Sequence, residues 1–209
     1  MIKQKSFNYK FNDNNDNELN FFVNQTNFYA FNALINNDTK YSFLYGPKKS
    51  GKSYLSKIWS KKNNAIEYKN NYEVVLNLHA NILIDNLIFY DQEKIFHIVN
   101  NCILNNSKIL ITSDIKINSI DFKFNDLSSR LKTFSNLEID QPNDEMLLAI
   151  LTKLLIDKQF IINSNQIFKY ILRRVDRSYQ GINEIVKKLD KLSLEKKRQL
   201  TIPLIKEIL

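Results

Sequence analysis

Eight consecutive residues, Gly46-Pro47-Lys48-Lys49-Ser50-Gly51-Lys52-Ser53, concentrate the groups of this chain that could do chemistry. The run fits G-x-x-x-x-G-K-[ST]. Its two glycines let successive backbone N–H groups turn inward on phosphate oxygens. A helix beginning at the end of the run would add positive potential at the same place. Lys52 is then placed to reach the terminal phosphates of a nucleotide, and Ser53 to ligate Mg²⁺. Asp85 closes the apolar run ILID, 33 residues after Lys52. A carboxylate at the end of a strand beside such a loop can hold the same Mg²⁺, although an ordinary turn aspartate would look similar. The next residue is Asn86, where hydrolytic proteins of this broad class often carry an acid. An amide has no useful basicity, so self-catalysed hydrolysis is expected to be slow.

The elements that must position these groups follow from periodicity. YSFLY (41–45) reads as a strand feeding directly into the loop, with a helix after it through Lys61. AIEY (65–68), NILIDN (81–86), KILITSD (108–114) and LEID (137–140) read as further strands, with helices over 24–35, 91–106 and 125–134. From Asn143 onward the period is helical throughout, with Met146, Leu147, Ile150, Leu151, Leu154 and Leu155 on one face. Thr201 and Pro203 mark the start of a last helix. Strands alternating with helices up to Pro142, then helices alone, predict an α/β fold. It is a parallel sheet with helices on both faces, followed by a small helical lid. The expected divisions are an N-terminal arm over 1–22, a nucleotide-binding domain over 23–142 and a lid over 143–209.

Composition narrows the class. Only 3 of 209 residues are glycine, where average usage of roughly 7 % would give about 15. Two of the three sit in the loop, so the backbone there has little choice. Gly181, inside an expected helix, implies either close packing against the sheet domain or the nucleotide, or a local kink. One cysteine, Cys102, excludes an internal disulfide and a thiolate zinc cluster. No stretch approaches the roughly 18 apolar residues of a membrane span, and MIKQKSFNYKF lacks a signal-peptide core, so a cytoplasmic protein is expected. The net charge of +8 would suit weak or indirect contact with DNA, and equally a solvated surface biased to lysine. With 25 Lys against 5 Arg, a position that keeps Arg gains interest, because only Arg offers a planar bidentate fork.

Four features in order, GPKKSGKS, ILIDN, ITSD and DLSSRL, resemble the DnaA-related branch of the AAA+ ATPases, and within it the Hda regulators most. The segments RRVDRSYQGINEIVKKLD and RQLTIPLIKEIL look like that family's lid. The resemblance covers about residues 20–209 and implies an AAA+ P-loop fold with ADP or ATP and Mg²⁺ as ligands. It implies that Thr112, Ser113 and Asp114 form the sensor-1 region. It also implies that Arg130, the sole arginine before residue 173, is an arginine finger acting in trans. Arg177 would be the lid sensor of nucleotide, with Arg173 and Arg174 beside it. Hda proteins bind the replication sliding clamp through a short N-terminal motif. Here QKSFNYKF offers Gln4 and Phe7, with Tyr9 and Phe11, although the usual leucines and proline are absent.

The resemblance therefore implies a regulator of replication initiation that docks on DnaA–ATP, held on the clamp, and triggers its hydrolysis. Self-association is left open. With the lid-like segment last in the sequence, no helix-turn-helix segment for reading DNA is expected. Lys61 and Asn81 are 20 positions apart, which leaves little room for the extra helices an initiator uses on single-stranded DNA. Two other classes fit parts of the sequence. A small-molecule kinase would use the same phosphate loop and recruit arginines 173–177 over the donor phosphates. A helicase-loader-like adaptor would use the positive charge.

Overall fold

The computed structural model describes residues 21–37, 39–162 and 164–209. Residues 1–20 of the expected arm, with Gln4 and Phe7, lie outside the described residues.

Five strands build one parallel sheet: β1 Tyr41–Tyr45, β2 Ile66–Glu67, β3 Ile82–Ile84, β4 Ile109–Ser113 and β5 Ser135–Glu138, in the order β2-β3-β4-β1-β5. Their side chains alternate between two apolar layers, as a strand period of two requires. Phe43, Ile82, Ile84, Ile109 and Ile111 face one core, with Ile95, Ile98 and Val99 of helix α4 (Gln92–Leu104) and Leu127 and Leu131 of α5 (Asn125–Lys132). Leu44, Leu83 and Leu110 face the other, with Ala30 of α1 (Phe28–Phe31) and Leu55, Ile58 and Trp59 of α2 (Lys52–Lys62). Helices therefore cover both faces. Cys102 belongs to the first core, where burial pushes its thiol up to about 12 and leaves it protonated at neutral pH.

The elements depart from expectation in three places. The first helix begins at Phe28 and continues as a wider π turn over Asn32–Asn36, which directs Leu34 and Ile35 inward and leaves Phe28 half exposed. A short helix, α3 (Tyr72–Asn77), buries Val75 in a segment that no periodicity marks. β5 lies two residues earlier than LEID. As an edge strand it pairs through Ser135 and Asn136, whose side chains are exposed, so the backbone register rather than an apolar pattern sets its start.

The lid is four helices with their own core: α6 (Asp144–Asp157), α7 (Gln166–Leu172), α8 (Tyr179–Lys196) and α9 (Ile202–Lys206). Asn143 caps α6 by accepting the N–H of Met146. Ser178 caps α8 by accepting that of Gly181, and Thr201 caps α9 with proline in its first turn. Leu147, Ile150, Leu151 and Leu155 carry the α6 side of this core, while Met146 and Leu154 are only partly buried. Gly181 has a different explanation from those the sequence offered. A Cβ there would lie 2.4 Å from the Asp176 carbonyl oxygen, so the glycine lets α8 start tightly against its own preceding turn. Among the described residues, no helix is long and apolar enough to cross a membrane.

Candidate functional site

The paired lengths of β1, β3 and β4 end at Tyr45, Ile84 and Ser113, so Gly46, Asp85 and Asp114 emerge together at the carboxyl edge of the sheet. That edge is where open α/β sheets place ligands. The cleft above it is lined by Lys48, Lys49, Gly51, Lys52 and Ser53 of the loop, Asp85 and Asn86 after β3, and Thr112 and Asp114 of the β4 exit. Phe89 and Tyr90 form a further wall, and Tyr179 and Gln180 enter from the lid.

The loop has the backbone its sequence implies. A Cβ on Gly46 would stand 2.0 Å from the Ile139 carbonyl oxygen. Gly51 adopts φ +101°, which L side chains rarely reach, and immediately precedes α2. Lys52 is buried, and its Nζ donates to the carbonyls of Gly46 (2.7 Å) and Pro47 (2.8 Å) while lying 3.0 Å from Asp114 Oδ1. The loop thus folds around its own lysine, with a carboxylate on the far side.

A short relay joins the two neighbouring strands. Thr112 donates its hydroxyl to Asp85 Oδ1 at 2.6 Å, and the Asn86 N–H donates to Thr112 Oγ1 at 2.7 Å. Asn86 is left-handed at φ 62° and its side-chain oxygen is buried with no partner among the described residues. Tyr90 donates its hydroxyl to the Tyr68 carbonyl at 2.9 Å. Burial first, then the carboxylates of Glu67 and Asp85, hold its phenol above the ordinary range. The Ser50 hydroxyl is also buried without a partner among the described residues.

These features fit a nucleotide with its cation. The loop has a position where a Cβ would collide, two orphaned polar atoms lie at or beside the cleft, and the Lys52 ammonium pairs with the Asp114 carboxylate within it. Ser53 and Asp85 could hold Mg²⁺, which takes hard oxygen ligands. Beside the loop, Phe21, Phe22, Tyr54, Pro142, Met146, Ile150 and Tyr179 line an apolar recess between sheet and lid.

The lid meets the loop directly. Lys49 forms an ion pair with Asp176, and the rings of Tyr54 and Tyr179 lie 5.7 Å apart. Arg177, expected on the nucleotide, pairs instead with Asp144 and lies on a separate lid groove with Arg173. Gln180 is the polar lid residue on the cleft, a placement the sequence did not signal because an amide at a helix start has many uses. Arg174 stacks over the ring of Tyr170 at 3.8 Å. Arg130 stands apart from the cleft, exposed in the last turn of α5, with its guanidinium 5.7 Å from the centre of the Phe96 ring.

Residues 144–209 match the family described as Hda, lid domain. The chain is 29% identical over 158 residues to the chromosomal replication initiator protein DnaA of Buchnera aphidicola subsp. Cinara cedri (strain Cc). That match covers 72% of the chain and 35% of the DnaA protein, so the chain spans about a third of this relative's length. Domain III of the Thermotoga maritima replication initiation protein DnaA shares the fold with a TM-score of 0.75 at 18% identity, over 89% of this chain and 92% of that one. AMPPCP-bound DnaA from Aquifex aeolicus does so with a TM-score of 0.70 at 19% identity, over 85% of this chain and 66% of that one. The lid match, the DnaA relative and the common architecture together support a DnaA-related, Hda-like AAA+ protein.

Proposed function

We propose that the protein is a nucleotide-dependent regulator of replication initiation that docks on DnaA–ATP and supplies Arg130 in trans to stimulate hydrolysis there. The observation that carries this reading is the situation of Arg130. It is exposed, it lies outside the protein's own phosphate cleft, and it forms no ion pair among the described residues, although Asp126 lies one turn earlier on the same helix. A surface arginine that served only stability would be expected to use such a carboxylate. Left free, its planar fork can meet the terminal phosphate of a nucleotide on another protein, where such fingers accelerate hydrolysis by about 10³–10⁵.

The protein's own nucleotide, ADP or ATP, is bound by residues 46–53 with its cation on Ser53 and Asp85, and Asp114 and Thr112 complete the cleft. Lys52 exchanges its contacts to Gly46 and Pro47 for the terminal phosphates. The cation, when bound, neutralises phosphate charge. The apolar recess around Phe21, Tyr54 and Tyr179 takes the base. Arg177, freed from Asp144, reaches the nucleotide only if the lid moves. Asn86 supplies no base for turnover, so this site acts as a conformational switch while hydrolysis occurs on DnaA. The sliding clamp is engaged through Gln4 and Phe7, and DNA contact is weak or indirect.

The test uses the full-length protein with DnaA, ATP and the clamp loaded on DNA. The wild type raises phosphate release by DnaA. Arg130→Ala, shown by circular dichroism to be folded and by titration to bind ADP normally, abolishes that rise. Unchanged stimulation in Arg130→Ala overturns the mechanism.

A further inference from the structure

We infer that Phe96 is a positioning residue that holds the Arg130 guanidinium ready for a phosphate. The inference rests on the reading of Arg130 as a group that acts in trans.

Phe96 projects from α4, the helix beside α5, and is partly buried against the core that holds Ile95 and Leu127. The ring of the next residue, His97, lies 5.6 Å from that of Phe96 at an interplanar angle of 65°. The Arg130 guanidinium sits 5.7 Å from the ring centre, within the range where a π face attracts a cation. Among the described residues the Arg130 side chain makes no hydrogen bond or ion pair beside this ring contact.

The chemistry of that contact differs from that of an ion pair in a useful way. A carboxylate would take the N–H fork and cancel the charge. An aromatic ring attracts the charge and occupies none of the five in-plane donors. A guanidinium held beside a ring therefore loses some rotamer freedom before docking yet arrives with its donors uncommitted. Partial ordering in advance reduces the rotamer entropy lost when the fork meets the phosphate in the transition state, so it acts on the maximal rate.

The experiment compares Phe96→Leu, which keeps apolar bulk but has no π face, with Phe96→Tyr, which keeps the face. Stimulated phosphate release by DnaA is measured over a range of regulator concentrations, with thermal unfolding as a check on folding. Phe96→Leu is expected to lower the maximal rate by about twofold to fivefold, the size of an exposed cation–π contact. The half-saturating concentration stays the same, and Phe96→Tyr restores the rate. If Phe96→Leu stimulates like the wild type, or if Phe96→Tyr is as impaired as Phe96→Leu, the ring only fills space and the inference fails. Arg130→Ala run in parallel separates the two levels. Normal stimulation by Arg130→Ala removes the underlying reading itself. Lost stimulation in Arg130→Ala with normal Phe96→Leu removes only the role of the ring.

Discussion

Thr112 and Asp85, on neighbouring strands, share a 2.6 Å hydrogen bond in which the threonine is the donor. The same oxygen accepts the N–H of Asn86, so one buried hydroxyl aims the carboxylate and anchors the backbone that follows it. Thr112→Val keeps the shape and removes both bonds. It should lower stability by about 1–3 kcal/mol, the cost of leaving buried polar groups unpaired. In a chain of this length each kcal/mol shifts Tm by about 2–4 °C. Calorimetry checks the stability, and titration with Mg²⁺–ADP should show weaker binding. An unchanged Tm would mean that water replaces the hydroxyl.

Asn86→Asp should raise the protein's own ATP hydrolysis. Aspartate tolerates the left-handed backbone at φ 62° about as well as asparagine, so the substitution tests basicity with little strain. The added carboxylate stands beside Asp85, where a bound cation would offset the repulsion. Single-turnover phosphate release without DnaA is the measurement, and a rate no different from wild type would show that the residue after Asp85 does not set the rate of this site.

The three glycines should respond to alanine in different degrees. Gly46→Ala drives a Cβ into the Ile139 carbonyl at 2.0 Å, and Gly181→Ala into the Asp176 carbonyl at 2.4 Å. Backbone must move in both, at about 1–3 kcal/mol each. Gly51→Ala meets nothing closer than Phe21 at 3.8 Å and carries only the strain of its positive φ. Thermal unfolding should rank Gly51→Ala mildest, while ADP titration should show Gly46→Ala and Gly51→Ala impaired and Gly181→Ala binding more nearly as wild type.

The Lys49–Asp176 pair should make lid position depend on pH and salt. The hydrogen bond from Lys49 lowers the Asp176 carboxyl below its ordinary 3.8, and the hydrogen bond to Asp176 raises the Lys49 ammonium above its ordinary 10.5. The contact is therefore present between those two values. It is lost as pH falls through the lowered carboxyl value, and again as pH rises through the raised ammonium value. Both side chains are about half exposed, so the pair adds little to global stability and is screened by salt. A fluorophore pair across loop and lid should report the same opening in Asp176→Asn at neutral pH as in wild type at 1 M salt, with Tm nearly unchanged. No change in transfer efficiency would show that the aromatic contacts alone set the lid.

The parts of the site that depend on strand ends were legible in the sequence. Gly46, Asp85 and Asp114 each follow an apolar run, and parallel pairing brings such ends to one edge. Gly51 and Lys52 were legible because a rare residue and a required cation stood at fixed spacing. Gln180 was not, since its approach to the cleft depends on where α8 starts, and that start is set by Gly181 packing on Asp176. Arg177 lies only three residues away, yet Asp144 draws it to the other side of the turn. The start of β5 was hidden for a related reason, because an edge strand pairs through its backbone and its exposed side chains carry no periodic signal.

Phe21 and Phe22 are adjacent in the chain but belong to different cores. Phe21 stacks on Phe31 and Tyr54 beside the phosphate loop, whereas Phe22 packs with the lid under Lys153. Asn24 and Thr26 then bond to Asn143 and Met146 at the start of α6. Because consecutive Cα atoms are only about 3.8 Å apart, the two halves cannot separate at this point without one ring leaving its socket. Residues 21–26 thus tie the sheet to the lid. A displacement of this segment would therefore disturb the packing beside the phosphate loop and the packing of the lid together.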